Sequence, residues 1–164
     1  MNKLVNDIDT KKYGKSYQEH LFRQYELLVD SADKISERRN NANNYYLGIN
    51  TATLTLIGVV SHVENSLWIL PYVYLAGIIF SIIFYLLINS YKQLNSGKFN
   101  VIHEIEKKLP LATYSYEWEV LGRGKDKSRY FPFSHIELWI PITLGIVYFI
   151  LLIYPLLNLG KVSG

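Results

Sequence analysis

The chain has 164 residues, a formal net charge of +3 and a mean hydropathy of +0.06, and on these averages it resembles a soluble domain. The averages conceal two compositions, because residues 1–42 and 92–137 hold nearly all the charge while three other stretches are apolar. No cysteine is present, which excludes disulfides, thiolate catalysis and zinc–thiolate sites. The composition therefore divides the chain into segments suited to water and segments suited to a bilayer.

Residues 1–42 are predicted to form a cytoplasmic segment with one amphipathic helix. The opening stretch MNKLVNDIDTKKYGK lacks the apolar core of a cleaved signal peptide, so the first membrane span is expected to serve as the targeting signal. Within 16–39, apolar residues recur at steps of 4, 4, 3, 4 and 3. This stripe must pack either on the other cytoplasmic segment of the same chain or on a neighbouring copy. Its members are Tyr17, Leu21, Tyr25, Leu28, Ala32 and Ile35.

Three stretches without Asp, Glu, Lys or Arg follow, and each is long enough to cross a bilayer, which takes about 20 helical residues. The stretch 45–63 has 19 residues, 66–91 has 26, and 138–160 has 23. We predict transmembrane helices at 45–63, 67–90 and 138–160, the first two forming a hairpin. The first span contains several polar residues, and its alternative interpretation is a buried helix of a soluble domain.

The distribution of Lys and Arg predicts the orientation of these spans. Eight of these residues precede the first span, none lies in the short loop 62–66, eight lie in 92–137, and only Lys161 follows the third span. Positive charge is retained on the cytoplasmic side of a membrane. We therefore expect a cytoplasmic N-terminus, a cytoplasmic segment 92–137 and an external tail 161–164.

The segment 92–137 is predicted to contain a short helix near 98–108 that ends at Pro110. The following LATYSYEWEV alternates in a way that fits either a strand or an irregular apolar segment, and LGRGKDKSRYFPF is typical of a loop. This segment is too short to bury a large core alone. We expect it to fold with the N-terminal helix into one small cytoplasmic cap.

Two pairs of residues in this segment have spacings found in metal sites or catalytic sites. His103 and Glu106 have a spacing that can serve a metal ion, but with no second such pair a solvated helix face is the stronger interpretation. Arg129 and His135 match the short arginine–histidine pattern of HEPN ribonucleases, in which the histidine assists attack by an RNA 2′-hydroxyl. Because Pro132 lies between the two residues, we do not expect them to share the uninterrupted helix that such a site requires. No phosphate loop, serine triad or Rossmann fingerprint occurs in the sequence. We therefore expect no enzymatic activity, cofactor, metal or nucleic-acid binding. The basic cluster 123–129 is expected to contact anionic lipid headgroups.

The first span carries two polar faces. Helices in lipid associate through small residues and interhelical hydrogen bonds, so a face with small residues at steps of 3, 4 and 3 predicts close helix packing. An asparagine in hydrocarbon needs a partner or water, so the second face either bonds to a neighbouring helix or lines an aqueous path shared by several copies. The helix-packing face is Gly48, Thr51, Thr55 and Gly58. The candidate pore-lining residues are Asn43, Tyr46 and Asn50.

Three stretches of the sequence resemble the RipA-family octameric membrane proteins of bacteria. They are SERRNNANNYYLGINTATLTLIG, YKQLNSGKFNVIHEIEKKLP and YEWEVLGRGKDKSRYFPFSHIELWIP. The resemblance extends from about Ser16 to the third span and implies a homo-oligomeric, octameric inner-membrane assembly with a cytoplasmic cap. The chain is also similar in size to a type VI CRISPR accessory membrane pore protein with a HEPN-like motif, which Arg129 and His135 would match. A cytoplasmic helix before a two-helix hairpin resembles the layout of SLATT effectors, from which this chain departs by its third span.

The sequence thus predicts an all-α membrane protein with three transmembrane helices, an N-terminal amphipathic helix and a small cytoplasmic cap, assembled as a ring in the bacterial cytoplasmic membrane. Our first hypothesis is a pore or channel-like assembly whose cap senses or docks a partner. The second is a non-conducting scaffold or regulator, such as an accessory effector of a defence system. The third and weakest is a membrane-bound ribonuclease. Expected partners are other copies of the chain, membrane lipids and a soluble cytoplasmic protein.

Overall fold

The computed structural model describes residue 4 and residues 10–63, 67–126, 128–130 and 134–159. Over these residues the chain is helical and forms no β-strand, which confirms the predicted all-α class. The α-helices, in chain order, are α1 (Thr10–Tyr13), α2 (Tyr17–Val60), α3 (Leu70–Glu106), α4 (Thr113–Val120) and α5 (Ser134–Leu159). Short 3₁₀ turns occupy Leu67–Ile69 and Gly122–Gly124.

Helix α2 unites the N-terminal amphipathic helix and the first predicted span. The sequence predicted two helices separated near residue 42, but α2 continues without a break from Tyr17 to Val60. The helix continues because no proline lies in this range and because its two glycines, Gly48 and Gly58, both come after the expected break. A single glycine in a helix costs only about 1 kcal/mol relative to alanine. The change from charged to apolar residues therefore marks a change of solvent and not the end of a helix.

Two predictions for the segment after the second span need correction. Residues 98–106 are helical as predicted, but they form the end of α3 and not a separate short helix, because Gly97 alone does not interrupt the helix that starts at Leu70. The segment expected as a strand or an irregular stretch is helix α4, Thr113–Val120. Its N-terminal amides donate hydrogen bonds to the Glu106 side chain at the end of α3, a contact that the alternation of residues within 111–120 does not reveal.

The chain divides into two compact units, and α2 and α3 contribute residues to both. Unit 1 comprises residues 1–38 and 91–132, and unit 2 comprises residues 39–90 and 133–164. The charged segments thus lie in unit 1 and the apolar segments in unit 2.

Unit 1 buries part of the apolar stripe of α2 against residues of the same chain. Ala32 and Ile35 are buried on α2, and Ile102 is fully buried on α3. Lys98 donates a hydrogen bond to Ser31 Oγ across 2.7 Å, joining α3 to α2. Packing within one chain thus accounts for two of the six stripe residues, and the other four are half-buried and open to a neighbouring copy: Tyr17, Leu21, Tyr25 and Leu28.

Unit 2 is a packing of α2, α3 and α5 around aromatic side chains. Phe84, on α3, is fully buried and stacks on Tyr46, on α2, with ring centroids 5.2 Å apart. Tyr148, on α5, is also fully buried and lies against Gly77 of α3. A side chain at Gly77 would meet the Tyr148 ring, so glycine allows α3 and α5 to approach closely here.

Two helical segments in the described part of the chain are long and apolar enough to cross a membrane. They are Leu67–Glu106 and Ile136–Pro155, whose most apolar 18-residue windows have mean hydropathies of 2.2 and 2.3. The first includes the predicted second span, 67–90, and the second overlaps the predicted third span, 138–160. The first span, in α2, is more polar and does not meet the same criterion.

Candidate functional site

The inner face of α2 carries four residues that contact α3 or α5 within unit 2. Arg39, Asn43, Tyr46 and Asn50 follow one another at steps of 4, 3 and 4, so they lie on one side of the helix. Asn50 is 2% exposed and donates a hydrogen bond to the Tyr46 carbonyl across 2.8 Å. The Tyr148 hydroxyl donates to the Asn50 carbonyl across 3.2 Å. This face therefore attaches α2 to the other two helices.

All three candidate pore-lining residues lie on this inner face. Asn43 donates to Glu137 of α5 across 3.1 Å, Tyr46 stacks on Phe84 of α3, and Asn50 is buried. Asn43 and Tyr46 are half-buried, and all three side chains are directed toward helices of the same chain. The arrangement thus favours the alternative stated for these residues, which is contact between neighbouring helices.

An ion pair between Arg39 and Glu137 closes the N-terminal end of this inner face. Arg39 Nε lies 3.4 Å from Glu137 Oε2, and the Asn43 amide donates to Glu137 Oε1. The side chains of Arg39 and Glu137 are 21% and 8% exposed. Glu137 lies in the first turn of α5, where a negative charge is favoured by the helix dipole. Asn43 Oδ1 and Glu137 Oε2 are buried and accept no hydrogen bond from the described residues, although Arg39 lies beside Oε2. The hydrogen-bonding capacity of this cluster is therefore only partly used.

The outer face of α2 is polar, small and exposed. It lies opposite the inner face and consists of residues at steps of 3, 4, 3, 4 and 3, every one of them exposed. Its members are Asn41, Asn44, Gly48, Thr51, Thr55 and Gly58. Leu47 and Leu54 are exposed along one edge of this face. The predicted helix-packing residues all belong to it.

No described residue outside α2 packs against the two glycines of the outer face. A Cβ atom added at Gly48 or Gly58 would have nothing within 4 Å. Thr51 donates its hydroxyl hydrogen to the Leu47 carbonyl and Thr55 to the Thr51 carbonyl, each across 2.9 Å. Their hydroxyl oxygens keep free acceptor capacity. The outer face is therefore open to water, an ion or another helix.

Exposed polar residues are rare on the other two helices of unit 2. The exposed residues of α3 from Leu75 to Leu86, and of α5 from Ile142 to Ile150, are apolar apart from Thr143. Thr143 donates to the Trp139 carbonyl across 2.9 Å, the same geometry as Thr51. The polar outer face thus belongs to α2 alone within the described part of unit 2.

A second polar site, in unit 1, surrounds the Glu106 carboxylate at the end of α3. Glu106 is 1% exposed. Its Oε1 accepts from the Tyr25 hydroxyl at 3.1 Å, the Thr113 hydroxyl at 3.2 Å and the Tyr114 amide at 2.8 Å. Its Oε2 accepts from the Ser115 amide at 2.9 Å and the Ser115 hydroxyl at 2.7 Å. One carboxylate therefore joins α2, α3 and the N-terminus of α4.

These hydrogen bonds determine the charge state of Glu106. Burial by itself would raise the pKa of the carboxyl group, but donors from Ser115, the Tyr114 amide and Tyr25 outweigh it and hold the pKa below its ordinary value. Burial next to this carboxylate raises the pKa of Tyr25, so the phenol remains protonated and can donate. The sequence analysis favours a solvated helix face for Glu106, because helix spacing does not show that the chain after Pro110 turns back and places Thr113, Tyr114 and Ser115 against it.

The weak nuclease and metal interpretations gain no support from the described residues. Arg129 is exposed and pairs with Asp126, with Nε 3.2 Å from Oδ2. The side chain of His135 lies outside the described part of the chain. His103 packs edge-on against Phe99, and Glu106 is engaged by its five donors. No group of three potential metal ligands occurs among the residues that the structure describes.

Comparison with known proteins gives one family. The model of the octameric membrane protein family matches residues 22–157, which is most of the chain and includes every residue of both polar sites. The chain belongs to the octameric membrane protein family. No curated protein and no solved structure matches it.

Membership of the octameric membrane protein family confirms the resemblance to octameric membrane proteins and makes the chain part of an oligomeric membrane assembly. In such an assembly, a face that is open in the single chain is available to other copies or to the space that they enclose. The outer face of α2 therefore becomes the candidate site in unit 2.

Proposed function

We propose that eight copies of this protein form a ring in the bacterial cytoplasmic membrane and that the outer face of α2 lines a central passage through it. Each chain would cross the bilayer three times, through the apolar end of α2, through α3 and through α5. The count of sixteen Lys and Arg residues in the two charged segments against one in the tail supports a cytoplasmic N-terminus and an external C-terminus.

The observation that carries this proposal is the exposed polar face of α2 on an otherwise apolar unit. Lipid tails offer no hydrogen-bond partner to Asn44, and they would leave the small residues Gly48 and Gly58 poorly packed. A ring resolves both problems by turning the outer face toward its axis. The apolar exposed residues of α3 and α5 then face lipid or neighbouring chains.

The size of an eight-membered ring is compatible with a passage. Eight helices about 10 Å wide, placed side by side, have axes roughly 13 Å from the centre, which leaves a free radius of roughly 8 Å inside the helices. Small residues on the inward faces reduce this radius little. Gly48 and Gly58 supply such positions, and Thr51 and Thr55 supply hydroxyl oxygens between them.

In this proposal unit 1 is the cytoplasmic cap and a docking surface for a soluble protein. It exposes large apolar side chains in a part of the molecule that contacts water, including Phe22 at 52%, Leu27 at 58% and Tyr116 at 70%. Exposed apolar groups on a soluble surface mark sites of protein association. We propose no enzymatic role and no cofactor.

Cysteine scanning tests the passage directly, because the natural chain has no cysteine. We expect Thr51→Cys and Thr55→Cys, reconstituted in liposomes as full-length protein, to react with a membrane-impermeant thiosulfonate and to lose ion flux on reaction. The matched control is Thr143→Cys on α5, which has the same exposed setting and backbone bond but would face lipid. Equal protection of all three positions would rule out the passage.

A non-conducting scaffold is the second candidate, and the contacts that Asn43, Tyr46 and Asn50 make within the chain favour it. Asn43 bonds to Glu137, Tyr46 stacks on Phe84 and Asn50 is buried, so these residues do not argue for a lumen. In a scaffold the outer face would pack against a helix of the next copy, as the small-residue spacing predicts. Protection of Thr51→Cys from the reagent, in a stable octamer without ion flux, would select this alternative.

A further inference from the structure

We infer that Glu137 is a positioning residue that fixes the rotation of α2 and thereby selects which residues face the passage. The inference rests on the proposed function, and it concerns how the lining face is held in place. The inner face carries the contacts to α5, and the outer face lies on the opposite side of the same helix. Any contact that fixes the orientation of the inner face therefore also fixes the orientation of the outer face.

Arg39 and Glu137 form an isolated pair. Among the residues of unit 2 that the structure describes, they are the only Arg, Lys, Asp or Glu. Glu137 therefore has no alternative cationic side chain there, and Arg39 has no alternative carboxylate. Since a buried charge without its partner is strongly unfavourable, the pair defines one angular position of α2 relative to α5.

The other contacts of the inner face are less specific in angle. The Tyr46–Phe84 pair is a parallel ring stack, with planes 7° apart, and such a stack tolerates sliding. The bond from Tyr148 is made to a backbone carbonyl of Asn50, which does not depend on the side chain at that position. Glu137 instead engages two side chains on successive turns, Arg39 and Asn43. This two-point contact opposes rotation of α2.

The same cluster is incompletely satisfied, which makes it a candidate for rearrangement. Asn43 Oδ1 is a buried acceptor that receives no hydrogen bond in the described structure, and Glu137 Oε2 has the charge of Arg39 beside it but no hydrogen bond. Partly satisfied buried networks are less stable than complete ones. A turn of the unit 2 part of α2 by about 60°, the angle between Thr51 and Leu54 around the helix, would replace Thr51 by Leu54 at the passage.

The test compares the reactivity of two single cysteines in reconstituted, full-length octamers. Thr51→Cys reports the outer face and Leu54→Cys reports its apolar edge. With the natural Arg39–Glu137 pair, we expect the Thr51 site to react faster with a membrane-impermeant thiosulfonate. The E137Q substitution should lower the ratio of the two rates by at least about tenfold, a change of ~1.4 kcal/mol. The swapped pair R39E with E137R should restore the ratio.

A second variant removes the effect of an unpaired buried charge on folding. R39Q with E137Q is neutral at both positions and should assemble, yet it should show the same lowered ratio as E137Q. An unchanged ratio in assembled R39Q with E137Q would overturn the inference. The proposed function fails in a different way, since then Thr51→Cys would be unreactive and the natural protein would carry no ion flux.

Discussion

Replacing Glu106 by glutamine should lower the free energy of unfolding of unit 1 by about 3 kcal/mol or more. Five donors converge on the carboxylate of Glu106, and two of them belong to Ser115. A glutamine amide offers one acceptor oxygen and places an NH₂ group against donors on the other side. The bonds that begin α4 would then be lost, and amide hydrogen exchange at Tyr114 and Ser115 should accelerate more than exchange elsewhere.

The control for this change is Glu104→Gln on the same helix. Glu104 forms an exposed ion pair with Lys107, with Nζ 2.6 Å from Oε1. Exposed pairs of this kind contribute about 0–1 kcal/mol, so thermal unfolding of the detergent-solubilised protein should change little. Equal effects of the two substitutions would show that the buried carboxylate has no special role in joining α2, α3 and α4.

The pH dependence of unit 1 should report the same carboxylate. Because folding lowers the pKa of Glu106 below its ordinary value of 4.5, its contribution to stability is complete above that pH and is lost as the pH falls toward the lowered value. Thermal unfolding followed from pH 6 downward should therefore show a loss of stability that Glu106→Gln does not share. Parallel curves for the natural protein and the variant would contradict this linkage.

The amphipathic stripe of the N-terminal helix was predictable because it is a local signal. Residues spaced three and four apart lie on one face, and Ala32 and Ile35 are buried as that spacing requires. The limits of the helices were not predictable in the same way. Hydropathy changes at Arg39 and near Lys92, but helix continuity depends on backbone breakers, and α2 and α3 pass through both positions.

The polar residues of α2 show a different limit of sequence reasoning. Asn50 and Thr51 are adjacent in sequence, yet the first is buried between helices and the second is exposed. Residues that line a passage and residues that join helices by hydrogen bonds are both polar, so the sequence does not tell which of the two a polar face of α2 does. The burial of Asn50 follows from its contact with Tyr148, 98 residues away, and only the fold reveals that contact.

Replacing Gly77 by leucine should destabilise unit 2 by about 3 kcal/mol or more and reduce the yield of octamer. An added Cβ atom at Gly77 would lie 2.7 Å from two carbons of the Tyr148 ring. The ring has little room to withdraw, because Tyr148 is fully buried and its hydroxyl is bonded to the Asn50 carbonyl. Relief would require α3 and α5 to separate. Size-exclusion chromatography and thermal unfolding in detergent would measure the two effects.

Gly97→Leu is the matched control, since it lies on the same helix and a Cβ atom there would have nothing within 4 Å. It should leave stability unchanged or raise it slightly, because leucine is a better helix former than glycine by about 1 kcal/mol. The combination of Gly77→Leu with Tyr148→Ala should recover part of the loss by vacating the ring's volume. If Gly77→Leu alone assembles as stably as Gly97→Leu, α3 and α5 do not depend on close approach at this point.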